Sequence, residues 1–181
     1  VGGGAHGYRL LILAVDQESV WRRSTLAHYY VYDLNKKTLQ VVADTITKLN
    51  FAVLSEDGQK VMYAQKCNLF IQDLMTGKIT QITNDGQDNA SRNGYADWVY
   101  EEELDMSRAA SWSPDGSKIA FLRFDESRVK EYDFSIYDGL YPTNFKYKYP
   151  KAGEDNSLVD VYVYDLLTQQ LTKLDLGDNT N

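Results

Sequence analysis

A chain of 181 residues is long enough to bury a core of its own, and 43% apolar content with 14 tyrosines against 3 prolines excludes a disordered or low-complexity segment. A formal net charge of −7 argues against nucleic acid or an anionic membrane as partner and weakly favours cationic ligands. Cys67 is the only cysteine, which rules out an internal disulfide and a cysteine-based metal site, and the two histidines, His6 and His28, have no spacing that suggests ligands or bases.

The chain opens on Val1-Gly2-Gly3-Gly4, which reads as a cloning scar or a flexible lead-in and not as a signal peptide, and no apolar run is long enough to span a bilayer. Ala5-His6-Gly7 before Arg9-Leu10-Leu11-Ile12-Leu13 reads as a turn entering a strand. Tyr30-Val31-Tyr32-Asp33-Leu34 and Lys37-Thr38-Leu39-Gln40-Val41 then form a hairpin: a β-rich run, a polar turn after Asp-Leu, and a second alternating run. The same sequence of events returns twice. Ser55-Glu56-Asp57-Gly58 turns into Lys60-Val61-Met62-Tyr63-Ala64, followed by a hairpin from Leu69 to Ile82. Trp112-Ser113-Pro114-Asp115-Gly116 turns into Lys118-Ile119-Ala120-Phe121-Leu122, followed by a hairpin from Val161 to Leu174. Glycine falls in each turn where a positive φ is needed.

A turn, a strand and a hairpin repeated every 40 to 60 residues amount to four strands per unit, the period of a β-propeller blade. The expected fold is therefore all-β, a partial propeller of about three four-stranded blades (5–48, 49–88 and 110–176), rather than a β-sandwich. Three blades do not close a ring, so the 1–181 chain is expected to be a fragment of one propeller domain, or to leave sheet faces open. Two stretches interrupt the repeat, 89–109 and 123–157, and insertions in a regular scaffold are where function is sought.

The first insertion contains Asp97-Trp98-Val99-Tyr100-Glu101-Glu102-Glu103-Leu104. Asp97 is a candidate N-cap, and acids in the opening turns suit the positive end of a short helix. Trp98, Val99 and Leu104 bracket the glutamates, so the helix is expected to be partly buried. Neighbouring carboxylates in such a place are costly unless a cation compensates them, and an ammonium group brings three donors. The second insertion carries an aromatic arm, Val129 to Tyr149, with alternation at Tyr132, Phe134 and Ile136 and again at Phe145, Tyr147 and Tyr149. It would expose apolar surface unless it docks, either back on its own propeller or on another molecule.

The run Asp97 to Glu103 resembles the double-glutamate motif of the dipeptidyl peptidase IV family of serine exopeptidases. Trp112 to Gly116, Glu131-Tyr132 and Tyr149-Pro150-Lys151-Ala152-Gly153 follow in family order, and Trp21-Arg22-Arg23-Ser24 with Tyr32-Asp33-Leu34-Asn35-Lys36 resembles the family's arginine-bearing segment. The likeness covers the chain from about Gly7 to Leu174. It implies that Glu102 and Glu103 bind the free α-amino group of a peptide substrate, that Arg22 reaches the carbonyl of its first residue and pairs with a glutamate, and that Glu101 has no substrate role. A guanidinium fork suits both tasks of Arg22; Arg23 departs from the family pattern. The resemblance also implies dipeptide release after Pro or Ala, a homodimer through the Val129 to Tyr149 arm, and a periplasmic or extracellular setting.

The family's Ser-Asp-His triad stands on an α/β-hydrolase domain with a Gly-x-Ser-x-Gly elbow, and these 181 residues contain no such elbow. The chain is thus expected to position substrate and to be inert by itself, with no metal or cofactor. A non-enzymatic propeller that binds peptides, and a tripeptidyl peptidase of similar architecture, stay open as readings of the same residues. Asn89-Ala90-Ser91 fits a glycosylation sequon, which matters only in a eukaryotic secretory setting.

Overall fold

The computed structural model of the chain describes residues 9–177. Strands β1 (Leu10–Ser19), β2 (Thr25–Asp33) and β3 (Thr38–Val41) form an antiparallel sheet in that order. Strands β4 (Phe51–Leu54), β5 (Lys60–Gln65), β6 (Asn68–Asp73) and β7 (Ile79–Gln81) form a four-stranded meander. A third sheet follows, built from β8 (Ser91–Asn93), β9 (Ala110–Trp112), β10 (Lys118–Asp125), β13 (Leu158–Asp165) and β14 (Gln170–Lys173). Helix α1 (Trp98–Leu104) lies between β8 and β9, and β11 (Glu131–Ile136) with β12 (Thr143–Lys148) makes a separate hairpin.

Side-chain alternation explains how the sheets stack. Along β5, Val61 and Tyr63 enter a core shared with Val31 and Val42 of the first unit and with Leu49. Met62 and Ala64, pointing the other way, enter a core with Tyr95, Ala110, Ile119 and Phe121 of the third. The middle sheet is therefore buried on both faces, as a propeller blade between two neighbours must be. Leu69 and Ile119 are fully buried, each contributing about 1.5–3 kcal/mol of transfer free energy. The described sheets form an open, partial β-propeller that does not close into a ring.

Three details differ from the sequence expectation. The first unit has three strands among the described residues, not four; the Ala5-His6-Gly7 turn lies outside them, as do Val1 to Gly4. Strand β10 runs through Arg123 and Phe124 to Asp125, paired with β13 along its whole length, so the second interruption starts at 126 rather than 123. The first insertion is not wholly outside the repeat, because β8 pairs with Arg123–Asp125 on the β10 edge that β9 occupies at Ile119–Phe121. Both turns expected to need glycine have it at positive φ, 67° at Gly58 and 68° at Gly116.

Candidate functional site

The site begins with the N-cap of α1. The Asp97 side chain is buried, accepts the Tyr100 N–H at 2.9 Å and receives the Ser157 hydroxyl at 2.5 Å. Tyr100 packs edge-on against Phe124 of β10, ring centroids 5.0 Å apart, so the helix is seated on the third sheet. Asp105 ends it in the left-handed region (φ 58°), a conformation that aspartate tolerates better than most residues.

At about 100° per residue, three consecutive glutamates cannot share one environment. Glu101 is fully buried and points at the loop joining β1 to β2; its Oε1 accepts the backbone N–H of Arg23 at 2.7 Å and of Ser24 at 2.8 Å, while Oε2 has no partner. Glu102 is mostly covered, and its Oε2 lies 3.0 Å from Arg22 Nε. Glu103 is exposed, and its carboxylate has no hydrogen-bonding or ionic partner among the described residues. The structure thus brings Arg22 and Glu102 together across 80 residues of sequence, and Glu103 is the next residue of the helix, with no contact to Arg22. Arg23 faces away from them, donating to the Glu101 carbonyl at 3.0 Å and pairing with Asp105.

Two further elements touch this cluster. The base of the β11–β12 arm folds over the first turn of α1, where the Trp98 ring lies 4.3 Å from Tyr149 and 6.4 Å from Tyr147. Burial first, then the neighbouring Tyr149, Tyr132 and Glu102, push the Tyr147 phenol above its ordinary pKa. Beneath the β1–β2 loop lies a charge pair that the sequence reading missed. Arg92 of β8 and Glu126, both buried, meet at 2.6 Å, and the Arg92 guanidinium stacks 4.9 Å from the Trp21 ring and 5.5 Å from Tyr95. Burial raises the Glu126 pKa, and the Arg92 charge works against that rise. The available signal was Trp21 itself, a large aromatic directly before Arg22.

Among the described residues no group of three or more His, Cys, Asp or Glu is placed to hold a metal ion. What the cluster offers is two adjacent carboxylates, one partnered and one free, beside an arginine whose remaining N–H groups face solvent. Such an arrangement can receive an ammonium group and, next to it, a carbonyl oxygen.

Comparison with known proteins identifies the family. The family model for the dipeptidyl peptidase IV N-terminal region matches residues 7–181. The chain belongs to the dipeptidyl peptidase IV family. Dipeptidyl aminopeptidase B of Saccharomyces cerevisiae is 34% identical over 162 residues, which is 86% of this chain and 19% of that protein. Dipeptidyl peptidase 4 of Felis catus is 33% identical over 159 residues, 86% of this chain and 21% of that one. The crystal structure of Porphyromonas gingivalis dipeptidyl peptidase 4 superposes with a TM-score of 0.89 at 37% identity, covering 94% of this chain and 24% of that one. The chain therefore spans about a fifth to a quarter of the length of the family members it matches.

Proposed function

We propose that this chain is the substrate-recognition part of a serine exopeptidase that releases N-terminal dipeptides, gripping the substrate's α-ammonium with Glu102 and Glu103 while Arg22 orients the adjacent carbonyl. The observation that carries the reading is the asymmetric pair: Glu102 held by Arg22 at 3.0 Å, and Glu103 beside it, exposed and unpartnered. Pairing with Arg22 fixes Glu102 in place, and Glu103 supplies the uncompensated charge that a cation would neutralise. Chemistry is assigned to an α/β-hydrolase domain of the full-length protein, and this chain lowers the barrier by orientation. Dipeptide rather than tripeptide release, with Pro or Ala preferred at the second position, follows by kinship with the family.

Kinship also suggests a homodimer through the 129–149 arm and a periplasmic or extracellular setting. Supporting the first, the arm tip is open: Tyr137, Leu140 and Tyr141 are 79%, 98% and 84% exposed. No helix among the described residues is long and apolar enough to cross a membrane.

Glu102→Gln and Glu103→Gln in the full-length protein test the grip. Loss of one partner from a desolvated, hydrogen-bonded charge pair is worth about 2–5 kcal/mol, a drop of roughly 30- to several-thousand-fold in kcat/KM on a dipeptide substrate. Variants that retain wild-type kcat/KM would overturn the assignment.

A further inference from the structure

We infer that the Arg92–Glu126 pair, acting through the Trp21 ring, is the positioning device for Arg22; the inference rests on the ammonium-grip reading above. Arg22 is 69% exposed along its side chain and has one ionic partner, Glu102, so little at its own position fixes the guanidinium. Its placement comes from the loop that carries it. That loop ends the β1–β2 hairpin of the first sheet, beyond the register shift between Val15 and Glu18, yet it is fastened to the insertion of the third.

Two of its fastenings flank Arg22 directly in the chain. Glu101 holds the loop's backbone at Arg23 and Ser24. Arg92 holds the side chain one residue before Arg22, its guanidinium lying over the Trp21 ring at 4.9 Å and over the Tyr95 ring at 5.5 Å. Arg92 is itself set by strand pairing, since β8 runs along β10 with Phe124 opposite Arg92, and by Glu126, two residues beyond Phe124. Glu126 is anchored in turn by its backbone N–H to the Ala90 carbonyl at 2.8 Å. A buried guanidinium keeps a planar face for stacking while its edge serves the carboxylate, which a lysine ammonium cannot do. The pair thus transmits the geometry of the third sheet to a residue borne by the first. Trp21 and Arg92 are positioning residues, acting on the peptide through Arg22.

The test is a double-mutant cycle in the full-length protein, read as kcat/KM on a dipeptide substrate with a free N-terminus, with the thermal midpoint of every variant measured alongside. Trp21→Leu should lower kcat/KM about five- to thirtyfold, the scale of a desolvated cation–π contact, and Trp21→Phe should recover most of it. On an Arg22→Ala background, Trp21→Leu should cost less than about twofold more, because the residue it positions is gone. Arg92→Lys, which keeps the charge opposite Glu126 but loses the stacking face, should behave like Trp21→Leu in both backgrounds, so the inference does not depend on one variant folding. Equal losses with and without Arg22, or wild-type activity in both Trp21→Leu and Arg92→Lys, would overturn it while leaving the ammonium grip intact. An Arg22→Ala variant with wild-type kcat/KM would instead remove Arg22 from the grip, and the inference with it.

Discussion

Glu101, Glu102 and Glu103 share a chemistry and differ only in where the helix turns them. Glu101 is spent inside the protein, accepting two backbone N–H groups that have no other acceptor. Its role is geometric, and the two substitutions that separate charge from geometry should diverge. Glu101→Gln keeps a carbonyl oxygen where Oε1 sits and should hold kcat/KM within about threefold of wild type. Glu101→Ala leaves two half-buried donors without an acceptor, at a cost of up to about 1–3 kcal/mol each, and should lower both the thermal midpoint and kcat/KM in the full-length protein. Equal activity loss in the two variants would mean that the charge, not the hydrogen-bond acceptor, matters. Residue pattern placed the three glutamates on a helix but could not rank them, because a seven-residue helix with apolar residues on several sides leaves its buried face undefined; only the family resemblance set Glu101 apart. The loop that buries Glu101 lies 77 residues upstream.

At the scale of the element, the aspartates that end β2, β6 and β13 explain why the repeat is so readable. Asp33, Asp73 and Asp165 each accept the N–H groups two and three residues on: Asn35 and Lys36, Met75 and Thr76, Leu167 and Thr168. The two Asp-Gly turns are also copies. Ser55 and Ser113 each donate to an aspartate two residues on at 2.6 Å and accept the N–H of Lys60 and Lys118. A side-chain hydrogen bond from Lys118 is the chief cause that holds the Asp165 carboxyl down at about 2, and one from Ser113 does the same for Asp115. A depressed folded pKa adds stability that is fully present above the unfolded value of about 3.9 and is lost as pH falls through the folded value. The thermal midpoint should therefore drop between pH 4 and pH 2, and Asp165→Asn should make that drop shallower. A variant with an unchanged acid limb would show that these turns do not couple to unfolding. The Asp-turn and Ser–Asp bonds, closed within five residues, are what a sequence displays; the Lys118–Asp165 pair, 47 residues apart, is not. Strand β8 was not legible, because Ser91, Arg92 and Asn93 have no apolar alternation, nor was the Arg92–Glu126 pair, whose partners stand 34 residues apart and look like surface charges until the sheet buries them.

On the scale of the molecule, burial on both faces of the middle sheet contrasts with the outer face of the first, where Leu11, Leu13 and Val15 stand 39–45% exposed. Such a face is what the next blade of a propeller covers. The arm makes a second open surface. Register pairs Tyr132 with Tyr147 and Phe134 with Phe145 on one face, whose base is closed over Trp98 while the tip stands free. If the arm joins two subunits, Tyr132→Asp with Phe134→Asp should shift the full-length protein toward monomer in light scattering; a dimer that persists in a folded variant would assign the arm to the α1 contact alone.

The whole account turns on a charged N-terminus as the thing recognised, and the substrate itself can be edited to ask. An α-amino group has a reference pKa of about 7.7–8.0, so a grip on its protonated form should weaken as pH rises above about 8. The most direct measurement is kcat/KM of the full-length protein at pH 7 on one peptide with its α-amino group free and acetylated. The account predicts turnover of the free peptide and none of the acetylated one; cleavage of both at similar rates would contradict it.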